Sequence, residues 1–366
     1  MERRRFLAAV GALSTLPVAG CRTSDSAGDT TGATTDGAAP STAAPTTSAS
    51  ASGKPSGIYV QSFRERMSMQ GTATAGAYGF ALLFTVPHTF WTVTGDTVST
   101  VERAPEDSIH LMAAVWDAET GAALPETGLS VEIDRDGSLV SEEVIYPMLS
   151  QPMGFHYGGN FTLDGDGTYT VELSVGATNT RRAGAFADRL DDPASAEIDL
   201  AFTDESRSAV STRPIEQGGQ PGALQPMESM STPKAVAPTR AELPGTVSER
   251  ARSDDADFLA TLLDSPPVGV DGRGRYLAVS ARTRYNGYVL PAMALDGTVT
   301  CDGETVFDGR LARTIHPDLG YHYGAPVGTV ASGDELTLSV ETIPQVARHE
   351  GYETAFRQFE PVTLTL

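Results

Sequence analysis

The sequence predicts an all-β protein: two immunoglobulin-like β-sandwich domains in tandem, placed after a lipoprotein signal and a disordered stalk. Three observations carry this prediction. Apolar residues recur with a period of two in short runs: Ile109, Leu111, Ala113 and Val115; Leu129, Val131 and Ile133; Tyr169, Val171, Leu173 and Val175; and, far downstream, Leu336, Leu338 and Val340. Such alternation turns one face of a strand toward a core and the other toward water. Gly, Asp and Pro break the runs, and Asp136-Gly137 and Asp302-Gly303 are hairpin signals. The chain also repeats itself. Leu124-Pro125, Asp136-Gly137 and the set Gly154, His156, Tyr157, Gly158 recur as Leu290-Pro291, Asp302-Gly303 and Gly320, His322, Tyr323, Gly324, always 166 positions later (156 to 322). Two related units follow, each a sandwich rather than part of a long array. Upstream of about residue 109 the first unit shows no counterpart in the second.

In chain order, Arg3 to Arg5 precede the apolar run Phe6–Ala19, and Leu16-Pro17-Val18-Ala19-Gly20-Cys21 follows as a lipobox. Residues 1–21 therefore read as a signal peptide, too short for a durable membrane span, with Cys21 as the lipidation site. The arginines resemble a twin-arginine export signal, and the expected location is the extracytoplasmic face of the cell membrane, held by the lipid anchor. Residues 22–56 are almost entirely Ser, Thr, Ala, Gly, Asp and Pro with no aromatic residue before Tyr59, a composition that cannot bury a core. The first sandwich is expected over 57–204, a Pro-rich linker over 205–250 and the second sandwich over 251–366. A helix is expected only at 254–263, where Asp254, Asp255 and Asp257 lead into Phe258-Leu259-Ala260-Thr261-Leu262-Leu263.

Composition excludes several functions. The 366 residues carry 47 Asp+Glu against 26 Lys+Arg, a net charge of −21. Nucleic acid is not an expected partner, because phosphate binding needs clustered Lys and Arg. Acidity this strong serves solubility and is a habit of salt-loving organisms. There are two cysteines; with Cys21 lipidated, Cys301 is left single and no disulfide is expected. Gly-x-Ser-x-Gly, phosphate-loop and His-Glu-x-x-His patterns do not occur, so the chain is not expected to be an enzyme.

The chemistry rests on six histidines and their methionine neighbours. His110 and Met112 are two apart on one strand and share a face. Met148 and Met153 lead into His156, and His316, His322 and His349 lie in the second unit. Imidazole with thioether suits a soft or borderline transition metal ion, copper above all, with iron or zinc where further His or carboxylate joins. His88, in Val86-Pro87-His88, reads as a loop residue, and Asn160-Phe161-Thr162 is a glycosylation sequon or a packed turn. Methionine is also a common core filler, so the recurrence of His-Tyr-Gly in both units lends the metal reading most of its weight.

The segment from Met148 through Gly154-Phe155-His156-Tyr157-Gly158-Gly159-Asn160 resembles the Met, His-Tyr-Gly-x-Asn segment of bacterial periplasmic ferrous-iron-transport proteins. Ile109-His110-Leu111-Met112-Ala113 is similar to their early His strand, and Ala347-Arg348-His349-Glu350 to their late Arg-His segment. The whole chain is similar to haloarchaeal lipoproteins identified as iron transporters. The resemblance implies an immunoglobulin-like iron or copper binder that accompanies an iron permease. It implies His110, Met148 and His156 as first-unit ligands, with Met112 where a carboxylate often sits. Three departures stand out. Met148 lies eight residues before His156 where the family has seven, so Met148 or Met153 takes that part. Arg181-Arg182 stands where Arg-His is expected in the first unit. Tyr276, Thr314 and Ile315 replace the early His and the Met region in the second.

Two arrangements follow from these departures. The units pack as a pseudo-dimer in which His349 completes the first-unit site, which requires His349 within about 10 Å of His156 given metal–nitrogen bonds near 2 Å. Otherwise His316, His322 and His349 form a separate site. The expected function is capture of iron or copper through His and Met outside the cytoplasm and delivery to a membrane permease. The rival is a cell-surface structural or adhesive protein with no metal.

Overall fold

The computed structural model describes residues 55–228 and 232–366. The signal segment with Cys21, and almost all of the stalk, lie outside the described residues. Alternation and hairpin chemistry produce what they predict, a β-protein of paired sheets with, among the described residues, one short α-helix, Asp204–Ala209, and one 3-10 turn, Gly184–Phe186. In the first half one sheet runs Ser68–Ala75, Tyr78–Thr85, Ile109–Asp117, Gly154–Phe161, Tyr146–Ser150. A second sheet, Ala194–Phe202, Gly167–Val175, Ser130–Arg135, Ser138–Val144, supplies the facing layer. Leu111, Ala113 and Val115 from one layer and Val131, Ile133, Val171 and Leu173 from the other share an apolar core.

The second half repeats this plan. Ala256–Leu263, Arg275–Thr283, Gly320–Gly328 and the end of Glu304–His316 correspond to the first sheet, and Val362–Thr365, Glu335–Thr342, Ala294–Cys301 and the start of Glu304–His316 to the second. The offset is visible in the pairing itself. Asn160 faces His110 and Gly158 faces Met112, while Pro326 faces Tyr276 and Gly324 faces Ala278. A counterpart upstream of residue 109 does exist: Tyr78–Thr85 and Ala256–Leu263 hold the same place beside the central strand. Their sequences hide it, because both strands are covered on both faces and read as apolar runs without alternation.

The same point corrects the expected helix at 254–263. Residues 256–263 form a strand paired on both edges, opposite Arg275–Thr283 and opposite Thr246–Val247 with Ala251–Ser253. A short continuous apolar run does not distinguish a buried strand from a helix. The aspartates serve the hairpin: Asp254 takes a positive φ of 49° at the turn, and Asp257, buried, receives Arg250 and Arg252.

Residues 205–250 are not a free linker. Ser211–Pro214 pairs with Phe63–Arg66, Val289 N–H donates to Ala235 C=O, Ala237 N–H donates to Gly287 C=O, and Leu224, Ala235, Ala237 and Leu243 are buried. Proline forbids a central strand but not an extended segment anchored by isolated backbone bonds. The halves are further joined by an exchange. Ala347–Arg348, from the second half, pairs in parallel with Met148 and Leu149 of the first. Arg181–Arg182, from the first, pairs in parallel with Thr314 and Ile315 of the second. One apolar core runs through both sandwiches.

Arg348 anchors its strand. It is fully buried, and burial pushes its guanidinium down to about 9. It donates to the carbonyls of Ala355, Pro344 and Phe356. Arg348→Ala is expected to lower stability by about 3–5 kcal/mol, since truncation strands three buried acceptors. Urea denaturation reads the loss.

Candidate metal centre

The exchange builds the site. Gly154–Phe161 lies between Ile109–Asp117 and Tyr146–Ser150, and the parallel strand Ala347–Arg348 extends the sheet beyond Tyr146–Ser150. Met148 is opposite His156 in the antiparallel register, and Ala347 is beside Met148 in the parallel one. His349 follows, its N–H bonded to Leu149 C=O at 3.1 Å. Thus His110, Met148, His156 and His349 come from four separate strand or strand-end positions onto the sheet face away from the main core.

All four are buried. The imidazole of His349 lies 5.1 Å from that of His156 and 5.4 Å from that of His110, centre to centre, and its Nε2 is 3.3 Å from Met148 Sδ. Each ring is fixed through its other nitrogen. His110 Nδ1 is 2.8 Å from Asn160 Oδ1, His156 Nδ1 is 3.1 Å from Gly154 C=O, and His349 Nδ1 is 3.0 Å from His88 Nε2. The first two acceptors take N–H protons, which leaves the Nε2 lone pairs of His110 and His156 buried and without a partner. Buried polar atoms are almost always satisfied, so two orphaned imidazole nitrogens beside a thioether mark a candidate site. Gly158 keeps the space open: a Cβ there would stand 3.1 Å from both His110 Nε2 and Met148 Sδ.

His88, expected as a loop residue, is in a loop but belongs to this cluster. Its ring is 4.1 Å from that of His110 and 4.8 Å from that of His349, and its Nδ1 lies 3.0 Å from Glu65 Oε1. Asn160 Nδ2 donates to His88 C=O, so one asparagine holds both His88 and His110. This use of Asn160 is the packed alternative to a glycosylated one. The ligand atoms of His88, His110 and His349 fall within 4.8 Å of one another. Val86-Pro87-His88 carries no spacing signal, because the partners are brought to it by strands far away in the chain.

The other expected ligands lie elsewhere. Met112 and Met153 are buried in an apolar cluster with Ala81, Leu83 and Ala114. Met148 takes the methionine place because the Ser150–Gly154 turn sets Met148, not Leu149, opposite His156. His316 Nδ1 accepts the Asp318 N–H at 3.0 Å in a turn. His322 meets Tyr276 OH at 2.9 Å. Neither joins His349, so the separate site of His316, His322 and His349 is not formed. The register also moves the late segment by one residue: Arg182 and Ala183, not Arg181 and Arg182, correspond to Arg348 and His349, since Ala183 N–H bonds Ile315 C=O as His349 N–H bonds Leu149 C=O.

Residues 99–197 match the Fe2+ transport protein family. The match contains His110, Met148 and His156 and stops short of His349. The resemblance read from the sequence is to the same family, over part of the first sandwich. Residues 241–365 match a second family, described as a domain of unknown function (DUF7350). No curated protein matches the sequence. Among solved structures, a copper-bound glutamine variant of FetP from uropathogenic Escherichia coli is similar at 16% identity with a TM-score of 0.29, covering 38% of this chain and 98% of that one. A copper-bound glutamine variant of Campylobacter jejuni P19 is similar at 14% identity with a TM-score of 0.27, covering 38% of this chain and 98% of that one.

Electrostatics keep the imidazoles neutral. Burial pulls His156 down to about 4, and burial with the neighbouring His88 pulls His110 and His349 well below the ordinary range. For His88 burial acts in the same sense, but the Glu65 carboxylate outweighs it and the pKa is raised. Neutral imidazole is the ligating form. The linkage sign follows: His156 binds fewer protons folded than unfolded between about 4 and the unfolded value near 6.5, so its contribution to stability is complete above that value and is lost as pH falls toward 4. Metal-free protein is expected to show a falling Tm over that window, with a smaller fall in His156→Gln, followed by thermal melts in a pH series.

Proposed function

We propose that the chain is an extracytoplasmic transition-metal carrier, and that His110, His156, His349 and Met148 hold the ion. The observation that carries the reading is the convergence of unpartnered, buried imidazole nitrogens and a thioether on one space that a side chain at Gly158 would crowd. Three nitrogens and one soft sulfur fit copper well and iron acceptably, in keeping with the family match over the first sandwich. The metal, when bound, supplies nothing but itself: it is cargo. The chain's own groups do the positioning. Asn160 and the Gly154 carbonyl fix two rings, and His88, backed by Glu65, fixes the third, which is how outer partners set the direction and basicity of metal-binding histidines.

In this reading the protein is a binder rather than an enzyme, tethered through Cys21 to the outer face of the membrane after twin-arginine export. It captures iron or copper and passes it to a membrane permease. Among the described residues no helix is long and apolar enough to cross a membrane. Protein purified without chelator is expected to hold about one metal ion per chain by elemental analysis. His156→Ala and His110→Ala should hold none, with unchanged circular dichroism. Negligible metal in all three proteins would leave the adhesive-protein reading standing instead. His88→Ala should still bind, about 10- to 100-fold more weakly, in a competition titration against a copper chelator.

A further inference from the structure

The repeat that builds the metal centre also builds its counterpart in the second half, at positions fixed by the strand register. His322 corresponds to His156, Gly324 to Gly158, Tyr276 to His110, Thr314 to Met148 and Ala183 to His349. The correspondence extends to hydrogen bonding. His322 Nδ1 lies 3.0 Å from Gly320 C=O, as His156 Nδ1 lies 3.1 Å from Gly154 C=O. At this second place one side chain has no equivalent at the first. Arg181, standing where the other half has Ala347, donates to Thr314 Oγ1 at 3.0 and 2.9 Å, to Gly324 C=O at 2.6 Å and to Tyr276 OH at 3.3 Å. Tyr276 OH in turn meets His322 Nε2 at 2.9 Å.

We infer that this is a second metal centre closed by Arg181, whose guanidinium is the resident cation that joins the same strands an ion joins in the first half. The chemistry agrees at each position. Two of the three ligands lost have become groups that a guanidinium can use: a hydroxyl replaces the thioether and a phenol replaces an imidazole, while the backbone carbonyl of the open glycine becomes an acceptor. The remaining imidazole, orphaned at Nε2 in the first half, here accepts a hydrogen bond from the Tyr276 O–H. Ala183, fully buried, leaves no donor where His349 would stand. The cluster around it, with Leu243, Val270, Ala278 and Leu319, is otherwise apolar. A permanent cation with five N–H donors holds such a place without needing capture or release. The second sandwich is therefore a scaffold that donates His349, and the described residues hold one exchangeable site.

The inference rests on the metal-carrier reading for the identity of the ion, so its test has arms for both. The full mature chain is loaded with copper(II), dialysed and analysed for metal per chain, with melting curves as a second readout. His322→Ala should keep the wild-type copper content; loss of that copper, or a wild-type content of two that falls to one, overturns the inference. Arg181→Ala should keep the copper content while lowering the Tm of the metal-free protein, and an unchanged Tm overturns the role given to Arg181. The combined variant Arg181→Ala, Ala183→His, Tyr276→His, Thr314→Met should gain a copper, and should retain that gained copper when His156→Ala is added. A folded combined variant with no gain overturns the inference. Copper absent from the wild type but present in the combined variant would instead sink the carrier reading and leave the inference intact.

Discussion

Everything at the candidate metal centre depends on one parallel strand pair two residues long. Ala347–Arg348 lies against Met148 and Leu149, and that contact carries His349 out of its own sandwich and into the other. A two-residue strand has little stability of its own, so its place is fixed by what surrounds it: the buried Arg348 guanidinium, tied to three carbonyls, on one side, and the antiparallel bond to Trp91 on the other. The cost of burying that charge is offset by hydrogen bonds to backbone acceptors that would otherwise lack donors. The reciprocal strand Arg181–Arg182 makes the exchange symmetrical, so neither half completes its own sheet.

This arrangement explains which parts were legible in the sequence. Strands with one wet face, such as Ser130–Arg135 and Gly167–Val175, alternate and announce themselves. Tyr78–Thr85 and Ala256–Leu263 are covered on both sides, carry no alternation, and hid both a repeat and a strand. His110, Met148 and His156 share a sheet and sit near recognisable turns, and the resemblance found them. His349 was legible only through its Arg-His neighbour. His88 was not, because nothing local marks it: its role is set by a ring from the opposite end of the chain and by Glu65 across the sheet. The one-residue slip between Arg181-Arg182 and Arg182-Ala183 is of the same kind. A sequence repeat gives spacing, while pairing register decides which side chain faces the site.

The contrast between the two halves shows how few side-chain changes separate a histidine cluster with orphaned nitrogens from one whose groups are all paired. Gly158 and Gly324 occupy matching places, and His156 and His322 are held alike. What differs is the set of small changes around them: thioether to hydroxyl, imidazole to phenol, imidazole to methyl, and methyl to guanidinium. Each is compatible with the same backbone, so the sandwich persists while its chemistry changes.

The ligands' positions along the chain have a mechanical consequence. His110 and His349 stand at far-separated points of the sequence, and Cys301 is single, so among the described residues no disulfide closes that span. An ion bridging them would act as a removable cross-link that closes one of the longest loops the fold contains. A disulfide persists in the unfolded chain, whereas an ion that binds only the folded state adds to its stability by mass action. Loading would then tighten the whole molecule against unfolding, and giving up the ion would loosen the joint between the sandwiches.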